Sequence, residues 1–442
     1  MRRFKSAMNA EEEAKIKAAA LGIPYVQQPR WDTTAITPGT QFMAKLAQAL
    51  RAFQKKSPKK ILVSPADVAG EGEQKIMEYI RTHKPASTVI YGLDADLIVL
   101  SLWATATLGV QVDLFREEVE FSGAIKEDAL GVEQFLYLDI GHLAHVLHAE
   151  YGKSLDSQDA FIQEFVGLMN LLGNDFVPHG MGLKIRDAGV EKLLLLANNE
   201  LRTHGTFVVQ KEGKFTYNVP ALKMLFRCLA AEEATSIAKA AKKKLEARVG
   251  ATAAKEPEQI ALAVYNDTPV KWAAEKCLVE QYIDPEFEKP QWRLKANWTE
   301  NYDTAALYGV NPQDAAKVYL QALAWTLAYY AGEKVDMEWF YPWPLPPRAE
   351  TISNLLEVQP TEELLKVNLS TKPELKPEQQ LAMVLPESSF HLLPECYRSL
   401  PSKFPHAWPR QWGHHSLGRR FLWECEPLIP IITPQQIREW TA

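Results

Sequence analysis

Between residues 61 and 139 the chain alternates short apolar runs with helix-compatible stretches, and this alternation narrows the fold more than any other feature. The runs cover residues 61–64, 88–91, 110–115 and 135–139. Each is too short for an ordinary helix and rich in Val, Ile, Leu or aromatic residues, which is the make-up of a strand. Helical segments separate most of them. The pattern predicts an α/β domain with a largely parallel sheet flanked by helices. The uncharged stretch 97–112 is too short to cross a bilayer and reads as a buried helix.

Other elements follow from local signals. Residues 7–21 are rich in Ala, Glu and Lys and predict a helix. A second helix is expected to run to about Phe53, with Thr37 as its N-cap and Pro38 in its first position. Residues 160–172 are helical and apolar on more than one face. Residues 207–211 and 214–217 flank Glu212-Gly213, a hairpin signal. An Ala/Lys/Glu-rich stretch, 231–258, is a helix or linker and divides residues 1–230 from 259–442. Ten of the twelve tryptophans lie after Val270, with more than half of the 28 prolines. That region is expected to be mostly helical and irregular, packing rings through turns against the first domain.

Three acidic clusters carry the chemistry. Gly70-Glu71-Gly72-Glu73-Gln74-Lys75 lies between an expected strand and a helix. Tyr91-Gly92-Leu93-Asp94-Ala95-Asp96 directly follows a strand. Leu172-Gly173-Asn174-Asp175-Phe176 ends an apolar helix. In parallel α/β sheets, ligand groups gather beyond the carboxyl ends of the strands. Alternate residues such as Glu71 and Glu73, or Asp94 and Asp96, aim two carboxylates at one point while the chain is extended. Hard divalent cations require oxygen donors, and a two-ion site draws carboxylates from several segments. The bland alternative is local: Asp after a strand is often a helix cap, and Gly-Asn-Asp is often only a turn.

The formal net charge of −6 is not that of a basic nucleic-acid binder, but bound cations offset clustered carboxylates. The four cysteines lack any CxxC spacing, which argues against structural zinc and against a disulfide framework. They read as reduced thiols of a nuclear or cytosolic protein. The N-terminal residues show no signal-peptide pattern, and Glu11, Glu12 and Glu13 do not suit a transit peptide.

These motifs, in this order, resemble the XRN family of 5′-to-3′ exoribonucleases. Arg2-Arg3-Phe4-Lys5-Ser6-Ala7 is similar to the end of the family helix that contacts the 5′-phosphate. Ile36-Thr37-Pro38-Gly39-Thr40-Gln41-Phe42-Met43 resembles a family signature, and the three acidic clusters resemble its acidic motifs. The third of these extends through Val177-Pro178-His179. The later half matches at 325–330, at Trp339-Phe340-Tyr341-Pro342, at 380–386, at Leu392-Leu393-Pro394, and at 421–426 with Leu428-Ile429-Pro430.

The resemblance implies a flap-nuclease or PIN-like core and hydrolysis of RNA from a 5′-monophosphate end. It implies that Glu71, Glu73, Asp94, Asp96 and Asp175 bind Mg²⁺, with Mn²⁺ as an alternative, and carry the catalysis. Arg2 and Arg3 would belong to the 5′-phosphate pocket, and Trp339 would stack on the terminal base. Arginines suit a terminal phosphate through charge-assisted bidentate contacts, and an aromatic ring holds any base without reading it. His179 is expected to be structural. The family also carries an upstream segment with the first strands, two further aspartates, and a Lys and Gln of the phosphate pocket. These are expected to come from another polypeptide or from sequence upstream of Met1, or to be absent. The Ala/Lys-rich linker and Pro344-Leu345-Pro346-Pro347 depart from the family pattern. Two alternatives stand beside the exoribonuclease: a catalytically impaired RNA- or protein-binding relic of the family, and a structure-specific DNA endonuclease of the wider superfamily.

Overall fold

A strand needs a neighbour for its backbone groups as well as an apolar face, and three of the four apolar runs find one. The computed structural model describes residues 2–26, 33–92, 94–119, 125–128, 130–250, 256–286, 290–367, 369 and 374–442, without the side chains of 2–10 and 33. Most of the regular structure is helical. The chain forms two compact units, each assembled from separated stretches. One comprises residues 70–237 and 302–370, the other residues 1–69, 238–301 and 371–442.

In the first unit, β1 (Ser87–Tyr91), β2 (Gln111–Glu117) and β3 (Phe135–Asp139) form one sheet in that order. β1 and β2 are parallel, joined through the helix Asp96–Leu108. β3 joins antiparallel, with Phe115 opposite Tyr137. The expected largely parallel sheet is therefore corrected to a small mixed one. The reason lies in the connections, because a parallel pair needs a crossover and the described residues between β2 and β3 contain no helix. The run at 61–64, assigned to the other unit, is not a strand and pairs with none among the described residues. Leu62 is 72% exposed.

The helix Asp96–Leu108 is apolar nearly all round and buries Leu97, Leu100, Leu102 and Trp103. It ends at Gly109, whose φ of 67° is left-handed, the conformation a glycine cap adopts at least cost. The hairpin β4 (Val208–Lys211) and β5 (Lys214–Tyr217) turns at Glu212 and Gly213, with φ of 51° and 78°. Two consecutive positive φ values suit the twist of a two-residue hairpin. The helix Pro312–Ala331, begun by Pro312 and capped by Asn311, contributes Tyr319, Leu323, Trp325 and Leu327 to the same core as the sheet.

The second unit holds the helices Arg2–Ala20 and Gln41–Lys56 and a hairpin of Val279–Ile283 with Pro290–Leu294. Its apolar cluster includes Leu381, Leu385, Phe390, Trp408 and Ile437. The second helix begins later than the sequence suggests. Thr40, not Thr37, is its cap, accepting a bond from the Met43 amide, while Thr37 donates its hydroxyl to the carbonyl of Thr34. Pro38 therefore precedes the helix. No helix among the described residues is long and apolar enough to cross a membrane, and none of the four cysteines is in a disulfide.

Candidate active site

The three acidic segments meet in the first unit. Glu71 is the N-cap of the helix Gly72–His83, yet its side chain does not cap it. Its Oε2 instead accepts a hydrogen bond of 2.7 Å from the hydroxyl of Tyr329, 258 residues away. Glu73 stands in the first turn of that helix. Its carboxyl is pushed up to about 7, first by burial and then by the negative charges of Glu71, Asp96, Asp94 and Asp175. All five acids are thus near enough to act on one of their number. This is the electrostatic signature of like charges sharing a site.

The cap explanation fails for Asp94. The residue before the helix Asp96–Leu108 is Ala95, which offers no side-chain cap, and Asp94 is exposed. Its carbonyl accepts from the Leu97 amide, while its carboxylate is left to the cluster. At the third segment the turn chemistry belongs to Asn174. Asn174 Oδ1 accepts the amides of Phe176 and Val177, each at 2.9 Å, and the Asn174 amide donates to the Val177 carbonyl. Asp175 stands at the exposed tip of that turn. Gly173 has φ of 88°, and a Cβ there would press on the backbone and side chain of His179. Asn174 in turn rests on Asn170, which bonds the buried hydroxyl of Tyr217.

Two functional candidates escape a reading of the sequence: Tyr329 and Tyr330, at the end of an apolar helix. Tyr330 is buried, and its hydroxyl is held well above the usual tyrosine range by that burial and by Asp96, Glu73, Asp175 and Glu71. Their signal in the sequence was the matched stretch 325–330, where two polar-tipped rings stand side by side near the end of a helix rich in Ala and Leu. Trp339 is half-buried. One face lies against Trp325 with ring centres 6.1 Å apart, and Trp325 stacks on Tyr329 at 5.0 Å. Phe176, beside Asp175, packs on both Trp325 and Tyr329. An aromatic row therefore runs from Trp339 to the residue that holds Glu71. Arg2 and Arg3 open the first helix of the other unit, and their side chains lie outside the described residues.

Among the described residues, no three acidic, His or Cys side chains converge closely enough to hold a metal ion as they stand. The donor set nevertheless suits a hard cation. All five groups are carboxylates, and the crowding that raises Glu73 is the condition a divalent ion relieves.

Comparison with known proteins agrees at both ends of the chain. The family described as XRN 5′-3′ exonuclease N-terminus matches residues 1–118, and the Xrn1 helical domain matches residues 310–442. The 5′-3′ exoribonuclease 1 of Homo sapiens is 28% identical over 99% of this chain and 28% of its own length. The 5′-3′ exoribonuclease 2 of Arabidopsis thaliana is 25% identical over 95% of this chain and 52% of its own. The 5′-3′ exoribonuclease 1 of Saccharomyces cerevisiae is 34% identical over 48% of this chain and 15% of its own. Both ends of the chain thus match domains of one exonuclease family, and the chain is a member of the XRN family. It spans about a quarter of the human relative's length and about half of the plant one's.

Proposed function

We propose that this chain carries the catalytic acids of a 5′-to-3′ exoribonuclease that hydrolyses RNA from a 5′-monophosphate end. The observation that carries the reading is the crowding of Glu71, Asp94, Asp96 and Asp175 around Glu73, from three separate segments. The names of the relatives agree with it. Glu71, Glu73, Asp94, Asp96 and Asp175 would hold Mg²⁺, or Mn²⁺ in its place. When bound, the ions supply charge to the attacking and leaving oxygens of a phosphodiester. The protein's own part is positioning. Tyr329 anchors Glu71 by donating its hydroxyl, and the Asn174 turn presents Asp175. The half-buried ring of Trp339, backed by Trp325, offers a face to the terminal base. Arg2 and Arg3 would take the terminal phosphate, which carries more charge than an internal one.

The test compares one RNA sequence bearing a 5′-monophosphate, triphosphate or hydroxyl, with Mg²⁺ in each case. Strong preference for the monophosphate is expected, and equal rates at all three ends would overturn the proposal. That no three of the acids, among the described residues, converge closely enough to hold an ion as they stand favours one second reading, a member that binds RNA without cutting it. In the same assay, that protein retains RNA while hydrolysing none.

A further inference from the structure

The helices that bring Glu73 and Asp96 to the acid cluster continue away from it and line a cavity. Along the first helix a stripe at helical spacing runs Glu73, Met77, Arg81. Along the second it runs Asp96, Leu100, Trp103, Thr107. At 1.5 Å per residue, Arg81 lies about 12 Å along the axis from Glu73. Beyond the first turn these stripes form one wall of a space of about 280 Å³. Gln163, the hairpin residues Gln210 and Phe215, and Tyr330 complete it. The hairpin is fixed in place, because the Phe215 amide donates to the Glu333 carboxylate at 3.0 Å and the Phe215 ring meets Trp103 edge-on at 4.7 Å.

The lining has a definite polarity. Arg81 supplies the cationic end. Its Nε and Nη2 pair with Glu78 one turn back, a side chain 66% exposed. Such an exposed pair is worth little. Its guanidinium lies against Gly332, where φ is 77° and where any Cβ would collide with it, so a glycine is required there twice over. Gln163 makes no side-chain hydrogen bond among the described residues, and Gln210 uses one amide hydrogen on the Gly213 carbonyl. Each amide keeps both donor and acceptor capacity. Leu100, Trp103 and Phe215 supply the apolar and aromatic remainder. A cavity this small, near the lower end of small-ligand sites, has no room for a polymer.

We propose that this cavity binds a nucleoside 5′-monophosphate, with the phosphate on Arg81, the base against Trp103 and Phe215, and the base edge read by Gln163 and Gln210. The choice of ligand rests on the function proposed above, whose product is such a molecule. The cavity itself does not depend on that reading. Tyr330 lines the cavity, and its ring lies 6.5 Å from that of Tyr329, whose hydroxyl holds Glu71, so occupancy reaches the site through these two rings. The ligand is therefore expected to slow hydrolysis without competing with the RNA end.

The experiment is calorimetric titration of the purified protein with UMP and AMP in EDTA, with uridine and inorganic phosphate as separate probes. Saturable binding of at least one nucleotide is expected, tighter than either probe alone. Arg81→Gln and Gln163→Glu should each weaken it at least tenfold, and Asp94→Asn should leave it unchanged. Gln163→Glu keeps the side-chain shape but removes the amide donor from the base edge and adds a negative charge to an anion's cavity, so it serves if Arg81→Gln fails to fold. No saturable nucleotide binding, or phosphate binding as tightly as the nucleotides, overturns the proposal. So does a nucleotide affinity that responds to Asp94→Asn and not to Gln163→Glu. Because the titration contains no divalent ion, failure of the end-preference assay leaves its result standing.

Discussion

Glu73 and Glu233 are two carboxyls of the same unit, both pushed up to about 7 with burial as the first cause, in surroundings that otherwise oppose each other. Around Glu73 every charge named is negative, and among the described residues its side chain makes no hydrogen bond. Around Glu233 the remaining influences mostly favour the anion. It accepts the Ala349 amide at 2.6 Å and the Glu350 amide at 3.2 Å, with Arg348 nearby. Those amides open the helix Ala349–Val358, whose own cap residue, Arg348, offers no side-chain cap. Glu233 therefore serves as a helix cap donated from another helix, and its setting is complete. Glu73 is in an arrangement that protein groups leave unbalanced, and the proposed ion would supply the missing charge.

Removing charge at each place breaks the comparison most directly. Asp94→Asn or Asp175→Asn keeps shape and removes an anionic oxygen that a hard cation requires. Mg²⁺-dependent RNA hydrolysis should fall by orders of magnitude, with the unfolding midpoint nearly unchanged. Glu233→Gln should leave turnover within about threefold, since Gln keeps an acceptor oxygen for the amides at Ala349 and Glu350 and Glu233 is no part of the acid cluster. Single-turnover rates on 5′-monophosphorylated RNA check both. Wild-type rates in either Asp variant would remove that residue from the site.

A second, smaller effect concerns the ion and stability. A cation that binds the folded cluster and not the unfolded chain stabilises by mass action, about 2.7 kcal/mol at a hundredfold excess over Kd. Mg²⁺ should raise the melting temperature of the wild type and of Glu233→Gln alike. It should have little effect on an Asp94→Asn, Asp175→Asn double variant. A melting curve of the wild type indifferent to Mg²⁺ would mean that the crowded acids hold no ion.

What the sequence revealed of this arrangement was local. The acids were legible because each sits in a short motif bounded by glycine or by a strand end, and β1 to β3 because short runs rich in Val, Ile, Leu and aromatic residues mark strands. The hairpin was legible because Glu212-Gly213 accepts positive φ. Direction within the sheet was not, since it depends on whether a helix intervenes, and the run at 61–64 gave no sign that it lacks a neighbour. The cap was misplaced by three residues because Thr37 and Thr40 offer the same chemistry, and only the observed bonds choose between them. Tyr329 on Glu71, and Glu233 on Ala349, link residues more than a hundred positions apart. No periodicity or spacing encodes such pairs; they follow from packing the helix Pro312–Ala331 and its successor into the core.

The smallest expected effect is on the pH dependence of stability, and it separates the two carboxyls most sharply. An acid whose pKa is raised on folding binds its proton more tightly in the folded state. Between the ordinary 4.5 and about 7, the folded protein therefore holds protons that the unfolded chain has released. Stability from these groups is fully present below that window and declines as pH rises through it, by at most about 1.4 kcal/mol per pH unit for each group. Saturating Mg²⁺ keeps Glu73 ionised at all these pH values and should erase its share of the decline. Glu233 has no ion to answer to, so its share should persist in Mg²⁺ and disappear only in Glu233→Gln. Urea unfolding at about pH 5, 6 and 7, with and without Mg²⁺, measures both slopes. If Mg²⁺ flattened none of the wild-type decline, the crowding at Glu73 would not be relieved by a cation. If Glu233→Gln retained the full slope in Mg²⁺, its two backbone bonds would already outweigh the cost of burying its charge.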